Sequence, residues 1–178
     1  LDLSANPIGD EGMRTVGESL LRTSSSKLGS LSCDAFVVSA ESLVLKSKSI
    51  SPGATVLLAG VLKHNSVLPR VNLLGRDIKA TEQLVSVFKN HQTLQSLCGF
   101  YSGQSEVDLP EQSLSPSDSV LLATDLGSNS NISALRWRWM KKVHGSPAGQ
   151  PARAPAGQPG GMVAAGPRLH AATTRSWR

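Results

Sequence analysis

The chain has 178 residues, of which 39% are hydrophobic and only 4% aromatic, and a formal net charge of +5. A chain of this length closes one domain, and with so few aromatics its core must be built from Leu, Val and Ala in many small layers. The charge is uneven: residues 1–135 hold 10 Lys/Arg and all 13 Asp/Glu, a balance of −3, while residues 136–178 hold 8 Lys/Arg and no acid, so the basic character belongs to the tail and not to the domain.

No apolar run approaches the roughly 18 residues needed to cross a bilayer. Two cysteines, Cys33 and Cys98, make no disulfide framework, which points to a reducing, cytoplasmic setting. The chain opens on Leu1 inside a motif and without Met, as a fragment of a longer sequence would.

The first element is Leu1-x-Leu3-x-x-Asn6-x-Ile8, a short strand and its turn. Leu1 and Leu3 share one face of that strand and Asp2 takes the other. The spacing recurs at Leu43-x-Leu45-x-x-Lys48-x-Ile50, at Leu68-x-x-Val71-x-Leu73-x-x-Arg76-x-Ile78 and at Val107-x-Leu109-x-x-Gln112-x-Leu114. Strands are expected near residues 1–3, 31–33, 43–45, 71–73, 97–99, 107–109 and 135–137. The step from Leu43 to Val71 equals the step from Val107 to Leu135. It falls within the period of roughly 20–29 residues that marks a leucine-rich solenoid of strand-and-helix units.

A longer period encloses this one. Shifting the chain so that position 43 meets position 107 places Leu43-Val44-Leu45 on Val107-Asp108-Leu109, Ile50-Ser51-Pro52 on Leu114-Ser115-Pro116, and Val56-Leu57-Leu58-Ala59 on Val120-Leu121-Leu122-Ala123 without a gap. Leu62 then falls on Leu126, Leu68 on Ile132 and Val71 on Leu135.

The helix starts are written in Ser51-Pro52 and Ser115-Pro116, a hydroxyl cap followed by proline at the first helical position. Leu57, Leu58, Val61 and Leu62, and again Leu84, Val85 and Phe88, recur at helical spacing. Lys63-His64-Asn65 and Lys89-Asn90-His91 supply stops, with bases opposing the negative helix end and Asn suited to a left-handed closing residue. The stretch from Leu31 to Leu43 and the still shorter one from Leu97 to Val107 cannot hold a strand, a helix and two turns. Two coils without a helix are therefore expected.

The segment Leu1-Asp2-Leu3-Ser4-Ala5-Asn6-Pro7-Ile8-Gly9-Asp10-Glu11-Gly12 resembles the ribonuclease-inhibitor subclass of leucine-rich repeats, which also occur in NOD-like receptors and Ran GTPase-activating proteins. The resemblance extends over residues 1–137. It implies an α/β horseshoe with short parallel strands on the concave face and helices on the convex face. It also implies a buried Asn bonding neighbouring turns, a position held by Asn6 but occupied later by Lys48, Arg76 and Gln112.

Catalytic motifs are missing. There is no GxxxxGK[ST], GxGxxG or GxSxG, and the four histidines and two cysteines lack metal-ligand spacing. The reading is therefore a protein that is not an enzyme and needs no cofactor, metal or small-molecule substrate. Cys33 and Cys98 read as buried fillers beside Leu31 and Leu97, two or three strands apart. At about 4.8 Å per strand that places them about 10–15 Å apart, beyond the roughly 7 Å limit for a disulfide.

The outward strand positions make the candidate protein-binding surface: Asp2, Ser4, Ser32, Val44, Lys46, Asn72, Leu74, Asp108 and Arg136. Their mixed charge suits a protein partner better than nucleic acid. The expected function is a non-catalytic interaction scaffold, a regulatory or sensor segment of a larger protein. Alternatives are regulation of a small GTPase, as the resemblance to Ran activators implies, and weak tethering to nucleic acid or anionic membrane through the tail. That tail, residues 138–178, is rich in Pro, Gly, Ala and Arg and reads as disordered, with Trp137 closing the last coil.

Overall fold

A computed structural model of the chain describes residues 1–110 and 114–138. The expectation of a disordered tail over 138–178 lies outside the described residues beyond Arg138, as does the Trp137 side chain expected to close the last coil.

The described chain is a mixed α/β structure of four helices and small sheets, with no closed barrel. Helix α1 (Gly9–Arg22) starts without a side-chain cap but carries Asp10 and Glu11 in its first turn and Arg22 in its last, complementing the helix dipole. Helix α2 (Pro52–Lys63) is capped by Ser51, whose hydroxyl accepts from Ala54 N–H. Helix α3 (Glu82–Asn90) is amphipathic and buries Leu84 and Phe88. Helix α4 (Pro116–Ser128) begins with a reciprocal capping box between Ser115 and Asp118. The two Ser-Pro starts are thus realised as N-caps with proline in the first turn.

Helix α2 is the centre of the helical layer, with residues 53–62 buried. Helix α1 lies against it so closely that a Cβ on Gly17 would fall 2.5 Å from Leu57 N, and one on Gly60 would fall 2.7 Å from Gly17 O. Only glycine allows that approach. The core beneath is continuous, running from Leu31, Phe36 and Val38 through Leu57, Leu58 and Leu62 to Leu73, Leu97, Val107 and Leu121.

The strands depart from the single parallel sheet expected. Strands β1 (Leu31–Ser32), β2 (Phe36–Val38) and β3 (Leu43–Leu45) form an antiparallel meander, with Leu31 opposite Val38 and Val38 opposite Leu43. Residues 31–33 and 43–45 are therefore not successive parallel strands. Between Leu31 and Leu43 the chain has no helix to carry it back to the starting end, and it reverses direction instead.

Parallel pairing occurs elsewhere. Strands β4 (Ser49–Ile50) and β5 (Asp77–Ile78) pair in parallel one short repeat period apart, Ser49 to Asp77. Strands β6 (Glu106–Pro110) and β7 (Ala134–Arg138) do the same, Glu106 to Ala134. The segments 1–3, 70–72 and 96–98 contribute isolated bridges, with Asp2 and Ser32 parallel, Arg70 and Ser96 parallel, and Asn72 and Cys98 antiparallel.

Three further expectations are corrected. Asn6 is exposed and its amide bonds only its own turn at Ser4 O, 3.1 Å away, because Asp34 of the neighbouring turn already reaches the Ala5 N–H. Neighbouring turns are bonded instead by the Ala5 N–H to Asp34 Oδ1 at 3.2 Å and, further along the chain, by Arg76 Nη1 to Ser47 O at 3.3 Å. Leu135, aligned with the buried Val71, is 38% exposed, since β7 pairs with β6 and no further described strand lies beyond it. Neither α2 nor α3 closes on a left-handed Asn: the C-caps His64 and His91 have φ of −101° and −87°.

Candidate functional site

The outward-facing strand residues are assembled by cross-strand register. In the meander, Val44 stands opposite Val37, Val37 opposite Ser32, and Ser32 is bridged to Asp2, so four side chains form one row across four segments. Val44 is 55% exposed. The adjacent row holds Ser4, whose Oγ lies 3.0 Å from Ser32 Oγ, and Lys46, whose Nζ donates to Cys33 O at 2.9 Å. Five of the nine candidates, Asp2, Ser4, Ser32, Val44 and Lys46, are thereby brought together.

Asp2 is held ionised locally. Its carboxylate accepts the Ser4 N–H at 2.9 Å, and this backbone bond, with the Ser4 hydroxyl and the Lys46 charge, keeps it below the usual carboxylate range.

Asn72 lies on the 70–72 segment and is exposed, its Oδ1 accepting Leu74 N–H at 3.1 Å. Leu74 itself is not on the outward surface. It is 8% exposed, because the chain turns at Gly75, where φ is +69°, and this turns the leucine into the core. Asp108 and Arg136 are exposed and directly opposed in the β6–β7 ladder, and Arg136 Nη2 also reaches Glu106 Oε2 at 3.6 Å. The β6–β7 ladder thus forms its own group on this surface.

Sequence reading missed Val37, Arg70, Tyr101 and Glu106. Arg70 could have been found as the residue two before Asn72, hence on the same strand face. Val37 was hidden because residues 36–38 were not read as a strand, although Phe36-Val37-Val38 is a β-favouring run. Tyr101 sits in the coil after residue 98, for which periodicity gives no face.

The groups that suggest chemistry have structural employment. His64 Nε2 lies 2.9 Å from Leu20 O at the end of α1, and His91 Nε2 lies 3.0 Å from Leu62 O at the end of α2. His91 Nδ1 accepts from the N–H groups of Thr93 and Leu94, which assigns the proton to Nε2. Each imidazole therefore caps the preceding helix. Lys63 Nζ adds bonds to Leu21 O and Thr23 O, the latter at 2.9 Å.

These residues line a cleft of ≈ 500 Å³ with Asn65, Ser66, Asn90 and Thr93. Asn65 is itself fully engaged: its Nδ2 donates to Ser39 O and Ala40 O, and its Oδ1 accepts from Val67 and Leu68 N–H. The cleft is the polar seam tying helix ends to the meander.

Two buried carboxylates also escaped the sequence reading. Asp118 Oδ1 accepts the Gly75 N–H at 3.1 Å, while its Oδ2 accepts the Ser115 N–H and hydroxyl. Asp125 accepts from Ser96 Oγ at 2.6 Å and from the N–H groups of Leu97 and Cys98, each at 2.9 Å. Asp125 thus anchors the second helix-less coil to α4. Burial first, and then the Asp125 charge, push the Cys98 thiol far above its ordinary range, leaving it a poor nucleophile. Cys33 and Cys98 are both buried free thiols. Among the described residues no group of three or more His, Cys, Asp or Glu could hold a metal ion, and no helix is long and apolar enough to cross a membrane.

Comparison of the chain with protein-family models, with curated proteins and with solved structures gives no match.

Proposed function

We propose that the chain is a leucine-rich-repeat scaffold of the ribonuclease-inhibitor-like kind and works as a non-catalytic protein-interaction module through the outward face of its strands. Supporting the repeat reading are the parallel pairings of Ser49 with Asp77 and of Glu106 with Ala134, equal in offset and each followed or preceded by a helix that packs on the same core. The observation that carries the functional reading is the register that gathers the exposed Asp2 and Val44 and the half-buried Ser32 and Val37 into one outward row beside Lys46. A mixed row of apolar, hydroxyl and charged side chains on a packed backbone is compatible with a non-obligate protein interface, which is about as apolar as the rest of a protein surface. A polyanion would require cations along its whole track.

The test uses face-specific variants in cells. Val44→Asp with Lys46→Glu should remove partners cross-linked to the wild-type chain, while Val120→Asp on the outer face of α4, where Val120 is 45% exposed, should retain them. The scaffold reading fails if the cross-linked set is the same for both variants.

A further inference from the structure

Beyond the row on the meander, the outward surface carries one arrangement aimed at a particular chemical group. Arg70 lies with its guanidinium 4.0 Å from the centroid of the Tyr101 ring. Stacking of this kind fixes a long side chain that would otherwise sample many rotamers, and it leaves the edge of the guanidinium, with its N–H fork, free to donate. None of the four ion pairs among the described residues involves Arg70. Tyr101 is 59% exposed although it is the large aromatic most suited to burial at a contact. Gly99 and Gly103, with φ of +82° and +84°, bend the coil on either side of it.

Asn72 completes the group. It shares a strand face with Arg70, and its Oδ1 is tied to Leu74 N–H, so its Nδ2 is the end left to donate. Guanidinium fork and amide N–H together make a cluster of donors with one positive charge, held in place by the Tyr101 ring. We propose that Arg70, stacked on Tyr101 and flanked by Asn72, is the anchor that receives an Asp or Glu side chain of the protein partner. The proposal rests on the scaffold reading above and names the chemistry of what the scaffold binds.

Charge complementarity selects the occupant. A planar carboxylate matches the fork with two parallel hydrogen bonds. A nucleic-acid backbone does not fit the surroundings, because the outward residues Asp2, Lys46, Arg70, Glu106, Asp108 and Arg136 carry three charges of each sign. A strand of phosphates running over these residues would meet carboxylates as often as cations.

The full chain is used to select random peptides by phage display, and enriched peptides are titrated against variants whose unfolding temperatures match wild type. The expected result is enrichment of Asp or Glu. Binding should weaken about tenfold on Arg70→Lys, which keeps the charge and loses the fork, and by a similar factor when the peptide acid becomes its amide. Tyr101→Leu should weaken it severalfold and Tyr101→Phe should not. Peptides without acids that ignore Arg70→Lys but are lost with Val44→Asp overturn the anchor and leave the scaffold reading standing. Peptides indifferent to all these changes overturn both. Displacement of the peptides by inorganic phosphate or an oligouridylate with equal dependence on Arg70 overturns the carboxylate assignment.

Discussion

Replacing Gly17 by Ala tests the helix contact on which the first half of the molecule is built. The new Cβ would meet Leu57 N at 2.5 Å and both Leu57 Cα and Val56 C at 2.6 Å, against an ordinary contact of 3.4 Å or more. These are backbone atoms of a helix buried on every side, so they cannot turn away, and α1 must retreat by about 0.9 Å. A gap of that size forfeits a quarter to a half of the dispersion well for the side chains along the seam, here Met13, Val16 and Leu20, which pack on the core. Overpacking of this kind costs about 3 kcal/mol at the upper end, and the better helix propensity of Ala returns about 1 kcal/mol. The net loss of about 2 kcal/mol corresponds to a fall of roughly 6 °C in unfolding temperature for a domain of this size. Thermal unfolding followed by far-ultraviolet circular dichroism measures it. Gly127→Ala in α4 is the control, since nothing lies within 4 Å of its added Cβ, and it should gain up to about 1 kcal/mol. A Gly17→Ala protein as stable as wild type, or a Gly127→Ala protein equally destabilised, would refute the argument.

Three other outcomes follow from the polar contacts. The Asp10 carboxylate accepts from Ser51 Oγ and, at 2.8 Å, from Gly53 N–H at the start of α2, and the Ser51 hydroxyl bond above all holds it below the usual carboxylate range. Because the folded value lies under the unfolded one, the stabilisation is present above about pH 4 and is lost as pH falls through the folded value. Asp10→Asn should therefore cost about 1 kcal/mol at neutral pH and flatten the acid limb of a stability-versus-pH curve. Asp125→Ala strands the Ser96 hydroxyl proton and the Leu97 N–H and leaves the Cys98 N–H only its longer bond to Ser96 Oγ, and should cost about 3 kcal/mol in urea unfolding. Neither Cys33 nor Cys98 should be alkylated by iodoacetamide before the chain unfolds, and labelling of Cys98 in the native protein would contradict its buried, proton-retaining environment.

Periodicity made α2, α3 and α4 legible, because a start such as Ser51-Pro52 combines a local cap with an apolar stripe and both act over a short span of chain; α1, which starts without a side-chain cap, was not read. Periodicity did equally well for the strand face that carries Asp2, Val44 and Asn72, where alternation is strict. It failed at Leu74 and Tyr101, which lie past strand ends where turns decide orientation. It failed again at residues 31–45: the distance between two leucines excluded a helix, but whether the chain then loops forward or doubles back depends on whether Phe36-Val37-Val38 finds partners on both edges, a nonlocal matter. Asp118 and Asp125 were invisible for a related reason. A carboxylate on an inward helix position looks like an interruption of the pattern until the donors from Gly75, Ser96 and Cys98 are in place around it.

The duplication that carries position 43 onto 107 shows how far a shared pattern can go and where it stops. Helices α2 and α4 begin on equivalent prolines, and both bury Leu57 and its counterpart Leu121. Yet Val56 is 4% exposed and its counterpart Val120 is 45% exposed. The difference traces to Gly60, which admits α1 against α2, whereas Val120 and Thr124 line an open cleft between α4 and the Val85 and Lys89 side of α3. In the same comparison Ala54 and Val61 become Asp118 and Asp125, so the second helix exchanges apolar packing for hydrogen bonds to Gly75 N–H, Ser96 Oγ and Cys98 N–H. Leucine spacing thus sets which face of each helix turns inward in both copies. The small and polar residues between those leucines set what each helix can touch, and they hold the coil of residues 96–100, whose continuation places Tyr101 on the outward face.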